Sequence, residues 1–105
     1  ANLANLRQIY FNNNMIRNFQ VISIQNQTIV LSLKILNLYK NYLKKLQNNM
    51  FIMFKNLEII NLGSNLIDCI EIDAFNGLEN LKNLDLANNR LTSIDKLIWL
   101  HLKNI

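Results

Sequence analysis

Proline is absent from this chain, glycine occurs twice, and cysteine and histidine occur once each. Each scarcity excludes a class of chemistry. Two isolated glycines, Gly63 and Gly77, cannot build a phosphate-cradling loop, which needs several glycines close together. A single cysteine, Cys69, cannot form an internal disulfide. A nucleophilic cysteine needs a basic partner, and His101 stands far along the chain. Cys69 is therefore expected as a half-buried neutral thiol on a turn. No run of 18 apolar residues exists, so no membrane-spanning helix is expected. Ala1-Asn2-Leu3 has neither the charged start nor the apolar stretch of a signal peptide. Paired carboxylates in register and metal-ligand spacings are also missing. Asp68, Glu71 and Asp73 lie close together, but a solvated acidic turn is expected there rather than a cation site. The reading is non-catalytic, with no cofactor and no metal.

Acids are missing from one half. Residues 1–56 carry Arg7, Arg17, Lys34, Lys40, Lys44, Lys45 and Lys55 and no acid, whereas 57–105 carry four bases and all seven acids, for a net charge of +4. Such a basic stretch favours an acidic partner. The lysines are nevertheless expected on both faces, as an ordinary solvated surface.

What the chain has in plenty is apolar residues, half of the total, in one recurring order. Four copies read Leu6-x-x-Ile9-x-Phe11-x-x-Asn14-x-Ile16-x-x-Phe19, Leu33-x-x-Leu36-x-Leu38-x-x-Asn41-x-Leu43-x-x-Leu46, Leu57-x-x-Ile60-x-Leu62-x-x-Asn65-x-Ile67-x-x-Ile70 and Leu81-x-x-Leu84-x-Leu86-x-x-Asn89-x-Leu91-x-x-Ile94. Leu33, Leu57 and Leu81 are spaced by 24 residues. An aromatic follows each of them at a fixed distance (Phe51, Phe75, Trp99), and then a large apolar residue (Phe54, Leu78, Leu102). The mixed steps of three and two residues rule out a helical bundle. The chain is one domain by length, with units 6–32, 33–56, 57–80 and 81–104 and no recognisable caps. The first unit is longer and lacks the aromatic, so an irregular loop is expected over Gln20 to Ser32.

The pattern has a physical basis. Alternating residues such as Ile60 and Leu62 mark a short strand with one buried face. One such unit cannot bury that face alone, so units stack and bury it for one another. The aromatic and the later leucine are expected to close the core from the convex side. Asn14, Asn41, Asn65 and Asn89, turned inward, offer both donor and acceptor to backbone groups that would otherwise be buried unpaired.

The signature resembles the leucine-rich repeat family. The unit LEIINLGSNLIDCIEIDAFNGLEN from Leu57 to Asn80 is similar to its typical 24-residue class, and the resemblance covers essentially the whole chain. It implies a right-handed α/β solenoid, with short parallel strands on the concave face and mostly loops or short helical turns on the convex face. It further implies a setting like that of Toll-like receptor, Slit-like or chaoptin-like ectodomains, hence an extracellular or cell-surface location, with the cytoplasm as the alternative. Ala74-Phe75 followed by Leu78 is especially like those members. The chain departs from the family at Gln47, Glu71 and Asp95, where proline is common. Leu3 mirrors Leu78 and Ile105 opens a further period. Solenoids need polar caps, so the chain is expected to be a piece of a longer array, with a truncated protein as the alternative.

The register also defines a concave face. Arg7, Tyr10, Lys34, Ile35, Asn37, Tyr39, Lys40, Ile59 and Asn61 are its candidate partner-binding residues, because exposed aromatics beside bases are the usual material of interface hot spots. Gly63 and Ala87 leave the second half shallow. A protein ligand or co-receptor is the expected partner; an acidic polysaccharide is a further possibility, and no nucleic acid is expected. Asn26-Gln27-Thr28 is a glycosylation sequon. Three functions follow: a ligand-binding segment of a surface receptor or adhesion protein, an intracellular scaffold, and a mid-array spacer that only sets curvature.

Overall fold

In the computed structural model, residues 8–11, 15 and 31–102 are described. Arg7, Asn14, Asn26 and all but the last two residues of the loop expected over Gln20 to Ser32 lie outside them. Four three-residue strands build one parallel sheet: β1 (Gln8–Tyr10), β2 (Ile35–Asn37), β4 (Ile59–Asn61) and β6 (Asn83–Asp85), in that spatial order. The register is unbroken, with Ile9, Leu36, Ile60 and Leu84 facing one another across it. Two shorter strands, β3 (Lys45–Leu46) and β5 (Cys69–Ile70), pair in parallel further along each turn. The chain is a solenoid with its strands on one face.

The strands are short because each unit must turn back at once. Inward residues Leu36, Leu38, Ile60 and Leu62 are fully buried, and Leu43, Leu46 and Ile67 continue the core past the strand. Burying each such side chain contributes roughly 1.5–3 kcal/mol. The far side consists of three-residue turns that recur bond for bond. Met50, Ala74 and Ile98 donate to Gln47, Glu71 and Asp95; Phe54, Leu78 and Leu102 donate to Phe51, Phe75 and Trp99. In the last unit these turns become a 3-10 helix, η1 (Lys96–His101), capped by Asp95, whose carboxylate accepts from Leu97 N at 2.9 Å.

Phe51 and Phe75 close the core from this side. Both are fully buried, and their rings stack with centroids 6.3 Å apart and planes 5° from parallel. Trp99 does not join them. It is 40% exposed, although its neighbour Ile98 is buried. Ile98 holds the register position of Ala74, which is buried as well, so the inward place is kept in η1 and only the aromatic position opens to solvent. Cys69 also departs from expectation: it is exposed, because in β5 the side chain of Ile70 is the more buried of the pair and strand alternation directs its neighbour to solvent.

Gly77 adopts φ +86°, and a Cβ there would meet Ile52 Cγ1 at 3.1 Å. Both strain and crowding oppose a side chain. Gly77→Ala is expected to destabilise by about 1–2 kcal/mol, read by urea unfolding; an unchanged midpoint would mean that this turn relaxes freely.

Candidate recognition surface

The outward side chains of the sheet form rows that run across the units. The first row is ionic. Lys34 and Lys82 both reach Glu58, at 2.9 and 3.0 Å, tying three successive units. Hydrogen bonding from Lys34, then from Lys82, together with their charges, holds the Glu58 carboxyl below its ordinary range. A recess of about 270 Å³ lies beside this row, lined by Lys34, Asn56, Glu58, Asn80 and Lys82. The sign of the pH effect follows. A depressed carboxyl contributes stability that is present above the ordinary glutamate value and is lost as pH falls through the folded-state value. Glu58→Gln should therefore flatten the loss of Tm on acidification through that window; an identical acid profile would show that the triad contributes nothing.

The next row pairs Gln8, Ile35, Ile59 and Asn83 across the strands. Ile35 and Ile59 stand side by side and half-buried, about 4.8 Å apart as neighbouring strands require. Beyond them lie Tyr10, Asn37, Asn61 and Asp85. Three of these side chains turn back on their own backbone. Asn37 accepts from Tyr39 N at 2.9 Å, Asn61 from Gly63 N at 2.9 Å and Asp85 from Ala87 N at 2.8 Å. These local bonds end each strand and lead into Lys40, Ser64 and Asn88, whose φ values are 55°, 54° and 56°. Tyr10 is 57% exposed, and its hydroxyl donates to the Gln8 carboxamide.

Tyr39 leans toward the next unit. A Cβ on Gly63 would come within 3.3 Å of Tyr39 Cδ2, so the missing side chain at Gly63 makes room for the ring. The Lys40 ammonium sits 5.7 Å from the ring centroid. The surface expected to be shallow at Gly63 is thus partly roofed by Tyr39.

Under this face runs a ladder of asparagines. Asn41 Nδ2 donates to Phe11 O at 2.9 Å and Leu38 O at 3.0 Å. Asn65 Nδ2 donates to Leu38 O and Leu62 O, both at 3.0 Å, and Asn89 Nδ2 to Leu62 O and Leu86 O, both at 3.0 Å. In return Leu43 N and Ile67 N donate to the Oδ1 atoms of Asn65 and Asn89 at 3.1 and 3.0 Å. Each rung serves its own unit and the one before it.

The leucine-rich repeat family model matches residues 31–91 and again 55–105. The chain belongs to the leucine-rich repeat family. No curated protein matches the sequence. Among solved structures, a crystal structure of a TLR13–ssRNA13 complex is similar at a TM-score of 0.86 and 25% identity, over 95% of this chain. The chain spans 14% of the length of that TLR13 chain. It is a leucine-rich repeat solenoid resembling Toll-like receptor ectodomains, an architecture used as an interaction module.

Of the candidate residues, the leucine-rich repeat register brings Ile35, Ile59, Asn37, Asn61, Tyr39 and Lys40 onto one surface, with Tyr10 on the adjoining strand. Lys34 lies on the same face but is engaged by Glu58. Sequence reasoning missed Glu58 as a bridge. It also missed a second set of asparagines at the unit boundaries: Asn56 Nδ2 donates to Leu31 O at 2.6 Å and Asn80 Nδ2 to Lys55 O at 3.2 Å. The signal was present, since Asn5, Asn56, Asn80 and Asn104 each precede the first apolar residue of a period. The acidic turn is engaged as well. Glu71 lies 3.6 Å from Lys45 and accepts from Asn48 N, while Asp73 meets His101 Nε2 at 3.0 Å. Among the described residues no group of three potential ligands is arranged to hold a metal.

Proposed function

We propose that this segment is a non-catalytic protein-recognition surface of an extracellular or cell-surface leucine-rich repeat receptor or adhesion protein. Its partner is a protein ligand or co-receptor, seated on the concave face over the first two units. The observation that carries this reading is the continuous outward patch of Ile35, Ile59, Tyr39 and Tyr10, held on a rigid sheet and flanked by Lys40. Rigid aromatics and aliphatics with little rotamer freedom to lose are the groups that dominate interface energetics. Beneath them the rungs of Asn41, Asn65 and Asn89 tie neighbouring units together, so the patch is organised before a partner arrives.

Charge favours a protein over a polyanion on this face. The TLR13 structure holds ssRNA13, but here Lys34 and Lys82 are both committed to Glu58, and Asp85 adds a further acid. Among the described cations of this face only Lys40 has no carboxylate within ion-pair distance, which is little for a phosphate backbone, whose binding rests on lysine and arginine contacts.

Two measurements test the proposal. In the full-length protein, replacing Tyr10 and Tyr39 together by alanine should weaken partner binding by about 2 kcal/mol or more, with the fold unchanged by circular dichroism. Undiminished binding would leave the segment a spacer. For the compartment, native protein treated with a glycan-removing amidase should lose mass at the peptide containing Asn26; material from an intact cytosol fraction carrying the whole pool would refute the surface assignment.

A further inference from the structure

Asparagine is abundant in this chain, yet one copy alone is followed by glycine: Gly63 follows Leu62, whereas Gly77 follows Asn76. The order matters chemically. The backbone nitrogen after an asparagine can attack that asparagine's side-chain carbonyl carbon and close a five-membered ring. A side chain on the following residue crowds the attack, and glycine has no Cβ to do so.

The backbone bonding sets this site apart a second time. The attacking nitrogen must give up its proton and move, and a hydrogen bond donated elsewhere opposes both. After Asn37, Asn61, Asn65 and Asn89 that nitrogen is committed to a neighbouring unit: Leu38 N donates to Asn61 O, Leu62 N to Asp85 O, Leu66 N to Leu43 O and Arg90 N to Ile67 O, each at 2.8 Å. In the convex turn of the third unit, Asn76 N donates to Asp73 O at 3.1 Å and Leu78 N to Phe75 O at 3.2 Å, while Gly77 N between them makes no hydrogen bond to a described residue. The Asn76 side chain is half-buried, and its Nδ2 donates to Asn49 Oδ1 at 2.9 Å on the exposed side of the turn. Water can therefore reach the carboxamide.

We propose that Asn76–Gly77 is a self-modifying site, which loses ammonia without an enzyme. Gly77 N bonds to Asn76 Cγ, the Cγ–Nδ2 bond breaks, and the Gly77 amide proton leaves with the nitrogen as ammonia. Water then opens the succinimide. Hydrolysis between Cγ and the Gly77 nitrogen restores the ordinary chain with an aspartyl side chain. Hydrolysis at the main-chain carbonyl instead leaves an isoaspartyl link, with the chain running through Cγ. Either product replaces the amide by a carboxylate and ends the donation to Asn49 Oδ1. The isoaspartyl link also adds a backbone carbon to a tight turn, where a Cβ on Gly77 would already meet Ile52 Cγ1 at 3.1 Å. That turn carries the buried Phe75, so the modification loosens the closure of the core.

The test ages the full-length protein, folded, at body temperature in mildly alkaline buffer. Peptide mass spectrometry locates each converted asparagine by its fragment ions, and an isoaspartyl-specific methyltransferase labels the rearranged product. Asn76 should pass from amide to acid first and furthest, with an isoaspartyl component, and the aged protein should melt below the fresh one. Asn76→Gln, whose longer side chain would have to close a six-membered ring, should stop the conversion at this position and hold the melting temperature through the same ageing. Three results would overturn the proposal: an intact Asn76 in protein whose other asparagines have converted, conversion only after unfolding in urea, or an equal fall in melting temperature for Asn76→Gln.

Discussion

Phe75→Ala is expected to destabilise the solenoid by about 3–5 kcal/mol, the range for deleting a buried aromatic ring. Phe75 is fully buried and stacks on Phe51, so its loss removes contacts in two units at once. Neighbours cannot collapse into the space, because the flanking turns are pinned by bonds such as Leu78 N to Phe75 O at 3.2 Å and Asn76 N to Asp73 O at 3.1 Å. Trp99→Ala serves as the comparison. It holds the same register position but is 40% exposed, and its loss should be much smaller. Urea unfolding of both variants checks the claim, and equal losses would contradict the placement of Ile98 as the inward residue of the last turn.

Asn65→Ala should cost about 2–4 kcal/mol, because it leaves several buried backbone groups unpaired at once. Its Nδ2 serves Leu38 O, Leu62 O and Gly63 O, and its Oδ1 takes Leu43 N. The damage should be local as well as global. The Leu43 amide should lose protection from hydrogen exchange in the variant, while the Ile67 amide, which donates to Asn89, should keep more of its protection. Equal loss at both amides would mean that the ladder fails as a whole rather than rung by rung.

The fold was legible in the sequence because its determinants repeat. Leucines and asparagines at a 24-residue period specify which side chains face inward, and parallel strands such as Ile35–Asn37 and Ile59–Asn61 follow. Trp99 was misread for the same reason. A repeat pattern assigns each position the role of its predecessors, but in η1 the indole is 40% exposed while Ile98 keeps the buried place that Ala74 has one unit earlier. Cys69 was misread because β5, only two residues long, is too short to show alternation.

The candidate surface was legible as a set of positions and not as a set of free contacts. Lys34 reads as an available cation until Glu58 and Lys82 are seen to fall in the same row. Asn37 and Asn61 read as ready hydrogen-bonding groups, yet their Oδ1 atoms accept from Tyr39 N and Gly63 N. The proximity of Tyr39 to Gly63 depends on a side-chain rotamer, which no spacing rule specifies.

The most direct test of the account is site-specific photo-cross-linking on the full-length protein in the cells that make it, with a photoreactive phenylalanine analogue placed at position 39 and, separately, at position 55 on the convex side. The account predicts protein adducts from position 39 that disappear when Tyr10 is replaced by alanine, and none from position 55. Adducts from position 55 with none from position 39 would contradict it and move recognition off the concave face.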